Sequence, residues 1–354
     1  MKTGKKKYYF YVGSYTGPKQ KGLYLLCFDP ERKEIRKCGQ YVNHMDCPAF
    51  LICDKKKGIV YAAGDAVCGS VGIYKADRNT GILEFVKQEM TEGSYTCHIE
   101  RDRDGARLFA ANYGGQTLSV FELENGGISL RKKKDYILED CSVHPRQAEA
   151  HPHFTAVTPD GSRVCVMNLG GDCMDVFCMK GGELIAEDSE KVYFKKGYGP
   201  RHILFHPNGR FAYATCELAS QAVVLKYDEP KHDFEIIQYH TTLLDDVENL
   251  ASALCINPEG RYLYVGNRGE DTIAVFEVNP DTGGLIHKYH VDAGGRWPRE
   301  LKMDARGNYL FVANQMSDAV SVFDIDSAGR PTLCAAYTGI SQPACVALVS
   351  EGEK

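Results

Sequence analysis

Three arginines, a histidine and a glutamate share one register in this chain. His153, Arg201 and Arg299 each stand eight residues before a turn glycine, and Glu217 and Arg268 each stand eight after one. Guanidinium groups brought together out of water are costly unless they meet an anion. Such a cluster therefore points to a carboxylate or phosphate ligand. A single glutamate among positive neighbours is a candidate general base, with His153 beside it to move a proton. His98 and His202 lie seven residues before their glycines, close by. Metal chemistry is not indicated. The 14 cysteines contain no Cys-x-x-Cys pair, and no carboxylate–histidine cluster has ligand spacing.

The elements that position these residues are a repeat. Turn glycines recur at Gly58, Gly105, Gly161, Gly209, Gly260 and Gly307, with spacings of 47, 56, 48, 51 and 47 residues. Around each runs a short strand, the turn, a second strand, a polar turn and a third alternating strand, as in SALCINPEGRYLYVGNRGEDTIAVFEV from Ser252. The period is that of a four-stranded propeller blade rather than a helical solenoid. Val, Tyr, Phe and Ile fill these segments and helical periodicity is absent. Six whole units are accounted for. A seventh is split, with YFYVGSYTGPKQKGLYLLCFD near the start and PACVALVS near the end. The expectation is an all-β seven-bladed β-propeller over residues 1–354, with four antiparallel strands per blade. Its last blade is closed by the N- and C-terminal strands, leaving no open edge.

In that fold the start of a blade's first strand and the end of its second share a face. Aligned on the glycines, that rim carries Phe50, Cys97, His153, Arg201, Ser252 and Arg299 from first strands. From second strands it carries Asp65, Asn112, Asn168, Cys216, Asn267 and Asn314, then Ala66, Tyr113, Leu169, Glu217, Arg268 and Gln315. Glu217, His153, Arg201 and Arg268 are the catalytic candidates. Arg299, His98, His202, Asn112, Asn267 and Gln315 are the substrate-binding ones. Structural roles compete with several of these. An asparagine repeated in four blades suits a strand-end cap, Arg201 or Arg299 suits a brace between blades, and Glu217 suits a counter-ion. His206 reads as a turn residue, and Trp297 as pocket wall or packing. The 56-residue spacing reflects an insertion between residues 124 and 150, which reads as a lid or pocket wall leading into His151 and His153.

The net charge of −5 and short, scattered basic clusters at 5–7, 55–57 and 131–134 argue against nucleic acid as a partner. No apolar run is long enough for a signal peptide or a membrane span. Cysteines such as Cys27, Cys53, Cys165 and Cys255 sit in apolar runs as free thiols would, so a cytoplasmic location is expected.

Several segments carry a family resemblance. VGSYTGPKQKGLY from Val12, RQAEAHPHF from Arg146, GPRHILFHPNGRFAY from Gly199, VGNRGEDTIAVF from Val265 and WPRELKMDARGNYLFVANQ from Trp297 are similar to the seven-bladed propeller lactonases. The founding activity of that family is 6-phosphogluconolactonase, and the fungal carboxy-muconate cyclases are relatives. The resemblance implies a site at His153, Arg201, Glu217 and Arg268. The chain departs from the family pattern at Cys216 and Asn168, at Ala253 and Cys255 in the strand SALCI, and at Glu300 after Trp-Pro-Arg.

The expected reaction is hydrolysis of a sugar lactone, 6-phosphoglucono-δ-lactone in the pentose phosphate pathway, without cofactor or metal. Glu217 is expected to orient the water, and His153 to donate a proton or hold the oxyanion. Arg201 and Arg268 are expected to hold the phosphate or developing charge, with Arg299 a third. The rivals are a cycloisomerase or a lactonase acting on another carboxylated lactone, and a non-catalytic binding platform. Oligomeric state is left open.

Overall fold

The computed structural model describes residues 7–16, 21–42 and 44–351. Residues 17–20 of the first family segment, and Lys5 and Lys6 of the first basic cluster, lie outside them. Seven sheets of four antiparallel strands form a ring. Blades one to six start from the innermost strands Pro48–Asp54, Thr96–Arg101, Pro152–Val157, Pro200–Phe205, Leu250–Ile256 and Pro298–Met303. The seventh blade is the expected composite. Its innermost strand is Pro343–Glu351, paired antiparallel to Tyr8–Ser14, with Lys21–Asp29 and Glu34–Val42 outside.

Blades hold one another through apolar faces. Seven clusters of buried side chains lie at the seven junctions, from Phe10, Phe311 and Val322 between the sixth and seventh blades to Ile59, Leu108 and Phe121 between the first and second. Each fully buried Phe or Leu contributes on the order of 2 kcal/mol. The six turn glycines all have φ between 65° and 76°, a region in which an added Cβ is strained. That shared geometry is what kept the sequence repeat in register.

One departure from regular pairing matters for function. In six blades the inner strand slips register just after it begins, between Pro48 and Phe50, Thr96 and His98, Pro152 and Phe154, Pro200 and His202, Pro298 and Glu300, and Pro343 and Cys345. Ala49, Cys97, His153, Arg201, Arg299 and Ala344 are thus the extra residues of a repeated β-bulge. Bulges re-aim side chains at barrel and propeller rims, and proline fits there because no ladder N–H is needed. In the first blade the bulge residue is Ala49 rather than Phe50, so the glycine alignment is one residue out there.

Candidate functional site

Glu217 follows strand Phe211–Cys216, its backbone N–H donating to Gly199 O at 2.7 Å. Its side chain is 3% exposed and meets three guanidiniums. Arg268 Nη2 stands 2.7 Å from Oε2, Arg146 Nη2 2.7 Å from Oε1, and Arg201 Nε 2.9 Å from Oε2. The Arg201 N–H is not aimed at that oxygen, so this last contact is an ion pair without a hydrogen bond. Arg201 Nη1 donates instead to His202 Nε2 at 2.7 Å, and Arg268 donates to Leu250 O and Ala251 O. The Arg268 guanidinium lies 5.5 Å from the centre of the Trp297 ring, which packs against it outside the pocket lining.

A fourth guanidinium completes the ring. Arg299 donates to the Tyr15 hydroxyl, which donates in turn to Asp65. Around these residues lies a pocket of about 310 Å³ lined by Asp65, Tyr95, Cys97, Tyr113, Arg146, His153, Glu217, Arg268 and Arg299. His153 is 7% exposed, and its Nδ1 has no partner. Beneath it lies a void of about 10 Å³, room for one water, walled by Tyr15, Cys97, His153, Arg201, His202, Arg299 and Glu300 among others.

Burial raises the proton affinity of the Glu217 carboxylate, but Arg268, Arg201 and Arg146 overcome this and hold it well below the usual carboxylate range. It is therefore ionised with three arginines about it, an arrangement that suits a counter-ion better than the general base expected of it. Burial, and then Arg201, keep His153 far below the ordinary imidazole value, so it is neutral. Burial and Arg268 pull Arg201 down to about 9, still protonated at neutral pH. The Cys97 thiol is pushed up, first by burial, and is no nucleophile.

The other substrate-binding candidates are placed elsewhere. His98 and His202 lie one residue below the rim, in a layer of rings lining the central channel. There the Phe50–His98, His98–Phe154 and Phe154–His202 centroids are 4.3, 3.6 and 4.4 Å apart. Asn112 and Asn267 turn into their blades. Asn112 accepts from Thr96 and donates to Thr117 and Ser119, while Asn267 donates to Thr242 O and Thr272. Both are fully buried strand-end caps and not substrate ligands. Gln315 sits in the turn Gln315–Ser317, its N–H donating to Trp297 O, outside the pocket lining. Of the family departures, Cys216 and Ala253 belong to apolar junctions between blades.

Arg146, Tyr113 and Tyr15 were missed as site residues. Arg146 lies in the insertion, on the short turn Pro145–Gln147. The buried Asp172 fixes that turn by accepting from Gln147 Nε2 and from the Gly199 N–H, both at 2.7 Å. It thereby ties the turn carrying Arg146 to the strand carrying Arg201. The insertion is a pocket wall. The only sequence sign of Arg146 was its place in RQAEAHPHF.

Among the described residues no helix is long and apolar enough to cross a membrane. Asp140, Cys173 and Asp175 come within 4.8 Å of one another, but Lys191 pairs with both carboxylates and supplies the cation there.

Comparison with known proteins agrees with this fold. The profile of the family described as "Lactonase, 7-bladed beta-propeller" matches residues 9–348. A 6-phosphogluconolactonase of Bacillus subtilis is 31% identical over 344 residues, 96% of this chain and 98% of the relative. The structure of the periplasmic gluconolactonase PpgL of Pseudomonas aeruginosa superposes with a TM-score of 0.90 at 27% identity, over 97% of this chain and 99% of that one. A protein from Lactobacillus plantarum gives the same TM-score at 26% identity, over 97% and 100%.

Proposed function

Because the chain belongs to the seven-bladed β-propeller lactonases and is a lactone hydrolase of that family, we propose that its substrate is a sugar lactone bearing a dianionic group, with 6-phosphoglucono-δ-lactone the foremost candidate. The observation that carries this reading is the charge of the pocket. Four guanidiniums, of Arg146, Arg201, Arg268 and Arg299, face two carboxylates, of Glu217 and Asp65. The pocket therefore carries two more positive than negative charges around an open mouth. A phosphate monoester supplies close to two negative charges at neutral pH, and a neutral sugar lactone supplies none.

In the proposed reaction the phosphate docks on Arg146, Arg268 and Arg299 at the mouth, and the lactone carbonyl faces the floor. The neutral His153 imidazole takes a proton from the attacking water, and Arg201 stabilises the tetrahedral oxyanion. Docking of the phosphate partly neutralises the guanidiniums, which raises the proton affinity of His153 at the step that needs it. Glu217 keeps the arginines in place throughout. The fourteen free thiols fit a reducing, cytoplasmic setting.

The test is acid release from fresh 6-phosphoglucono-δ-lactone and from glucono-δ-lactone, each above its spontaneous rate. A kcat/KM at least about tenfold higher for the phosphorylated lactone, about 1.4 kcal/mol of discrimination, is expected. Equal values overturn the dianion reading. A lactone with two carboxylates would suit the same charges, and a cycloisomerase would act on it without incorporating solvent oxygen. Product from labelled water separates that case.

A further inference from the structure

The reaction proposed above creates a proton that the pocket has no means of keeping. Water oxygen bonds to the acyl carbon, the acyl–ring oxygen bond breaks, and the ring oxygen leaves as a hydroxyl carrying one of the water's protons. The new acid ionises to a carboxylate and its proton must leave. Burial and then Arg201 hold His153 in its unprotonated form, Arg268, Arg201 and Arg146 hold Glu217 in its own, and a bound lactone covers the mouth.

The structure offers a second way out. His153, with its unpartnered Nδ1, and Glu300 wall the same one-water void. Glu300 is the sixth blade's member of the layer below the rim, where His98, Phe154 and His202 supply rings. It also lines the central channel, a cavity of about 570 Å³ bounded by all seven inner strands. Lys302 stands in the channel wall yet is exposed to solvent, so the channel opens away from the pocket.

We propose that Glu300 is a proton-relay residue, taking the proton of lactone opening from His153 through the shared void and releasing it into the channel on the far side of the disc. The step moves one proton from imidazolium through one water to a carboxylate, and needs no other reactant. It rests on the lactone reading.

The surroundings of Glu300 suit the task. Arg299 and Lys302 flank it on its own strand, Arg201 and His202 face it from Pro200–Phe205, Cys255 from Leu250–Ile256 and Cys345 from Pro343–Glu351, with Tyr15 across the void. Burial outweighs the pull of Lys302, Arg201 and Arg299 and brings its carboxyl up to about 7. The two glutamates near the site are thus pushed in opposite directions. Glu217 stays ionised, and Glu300 both takes up and releases a proton near neutrality, the pattern that separates fixed charges from proton carriers.

The experiment compares wild type, E300Q, E300D and E300A on 6-phosphoglucono-δ-lactone, with kcat, KM and the pH profile of kcat. In wild type kcat should rise with pH through about 7, as the carboxylate becomes free to accept. E300Q should lose about tenfold or more in kcat, with KM unchanged and that limb of the profile gone. E300D should keep the limb. In E300A, formate entering the channel should restore kcat in proportion to its concentration and leave wild type unaffected. A purely structural role would give neither the lost limb nor the rescue. E300Q with the kcat and pH profile of an active wild type overturns the relay alone. An inactive wild type overturns the lactone reading and the relay with it. An infrared carboxyl band titrating near 7 in wild type and missing in E300Q supports the proton-carrying assignment independently of turnover, and its absence from wild type overturns it.

Discussion

Arg146, on a turn that precedes the third blade, reaches across to within 2.7 Å of Glu217 at a strand end of the fourth. Glu217 is buried, and Arg146 is 42% exposed at the mouth. The pair thus couples a half-exposed cation at the opening to the buried charge that holds the arginines inside. An incoming anion meets Arg146 first, and can take its guanidinium from Glu217 without emptying the cluster.

Replacing Arg146 by alanine should therefore act on binding. A charged hydrogen bond is worth about 1.5–3 kcal/mol, so KM for a phosphorylated lactone should rise roughly ten- to a hundredfold. KM for an unphosphorylated lactone should hardly change. Thermal stability should fall less than in a Glu217 variant, because Arg201 and Arg268 still compensate the buried carboxylate. Steady-state kinetics on both substrates, with a melting curve, checks all three.

Glu217→Gln should damage the fold as well as the reaction. It leaves Arg201 and Arg268, 2% and 5% exposed, beside a neutral amide, and removing one partner of a buried ion pair costs about 3–5 kcal/mol. Denaturant unfolding should show that loss. If stability stays within 1 kcal/mol of wild type, Glu217 is not the organiser of the cluster.

Acid should destabilise the protein in a particular window. Burial holds His98, His153 and His202 well below the ordinary imidazole value. Below pH about 6.5 the unfolded chain binds protons that the folded one refuses, so stability present above that pH is lost as pH falls. Each histidine adds a slope of up to about 1.4 kcal/mol per pH unit. Glu300 works the other way. Its raised carboxyl keeps a proton in the folded state that the unfolded state releases, so its contribution is lost as pH rises toward about 7. E300Q should accordingly make the acid loss steeper between pH 5 and 6.5, measured by unfolding at each pH.

The turn glycines offer a cleaner comparison. Gly209 and Gly260 have φ of 73° and 72°, but a Cβ on Gly209 meets nothing closer than 3.9 Å, whereas one on Gly260 would stand 2.3 Å from His206 Nε2. G209A should cost only the backbone strain, about 1–2 kcal/mol. G260A should cost clearly more, since it also displaces the His206 ring and its contact with Gly260 O. Equal losses in chemical denaturation would show that His206 yields freely.

The ring was legible because every blade needs the same left-handed turn, and glycine marks it at fixed spacing. Arg201, His153 and Arg299 were legible for the same reason, since each sits at one distance from that mark. What the alignment lacked was direction. Asn112 and Glu217 stand seven and eight residues past their glycines, and strand alternation turns the first into its blade and the second toward the axis, but both registers were counted as one rim. Phe50 was misplaced because the first blade's glycine sits one place later in its turn, Gly58 donating to Asp54 O four residues back where Gly105 donates to Asp102 O three back. Arg146 comes from the insertion, where no periodicity assigns a position, and Tyr15 from the split seventh blade, whose two halves have no turn glycine between them to align on. Glu217 was found and given the base role first, because the third arginine beside its carboxylate was the residue not seen.

The innermost strand of the last blade is Pro343–Glu351, and its partners lie some 300 residues earlier in the chain. During synthesis every catalytic side chain leaves the ribosome before the piece that closes the circle does. Until then the first and sixth blades face a gap where Ala344 and Cys345 will stand, and the axis toward which the arginines point does not yet exist. The Arg299–Tyr15–Asp65 chain, which joins the sixth, seventh and first blades, can therefore form only once Pro343–Glu351 has paired with Tyr8–Ser14, whereas the Glu217 cluster spans the third to fifth blades and does not wait for that closure.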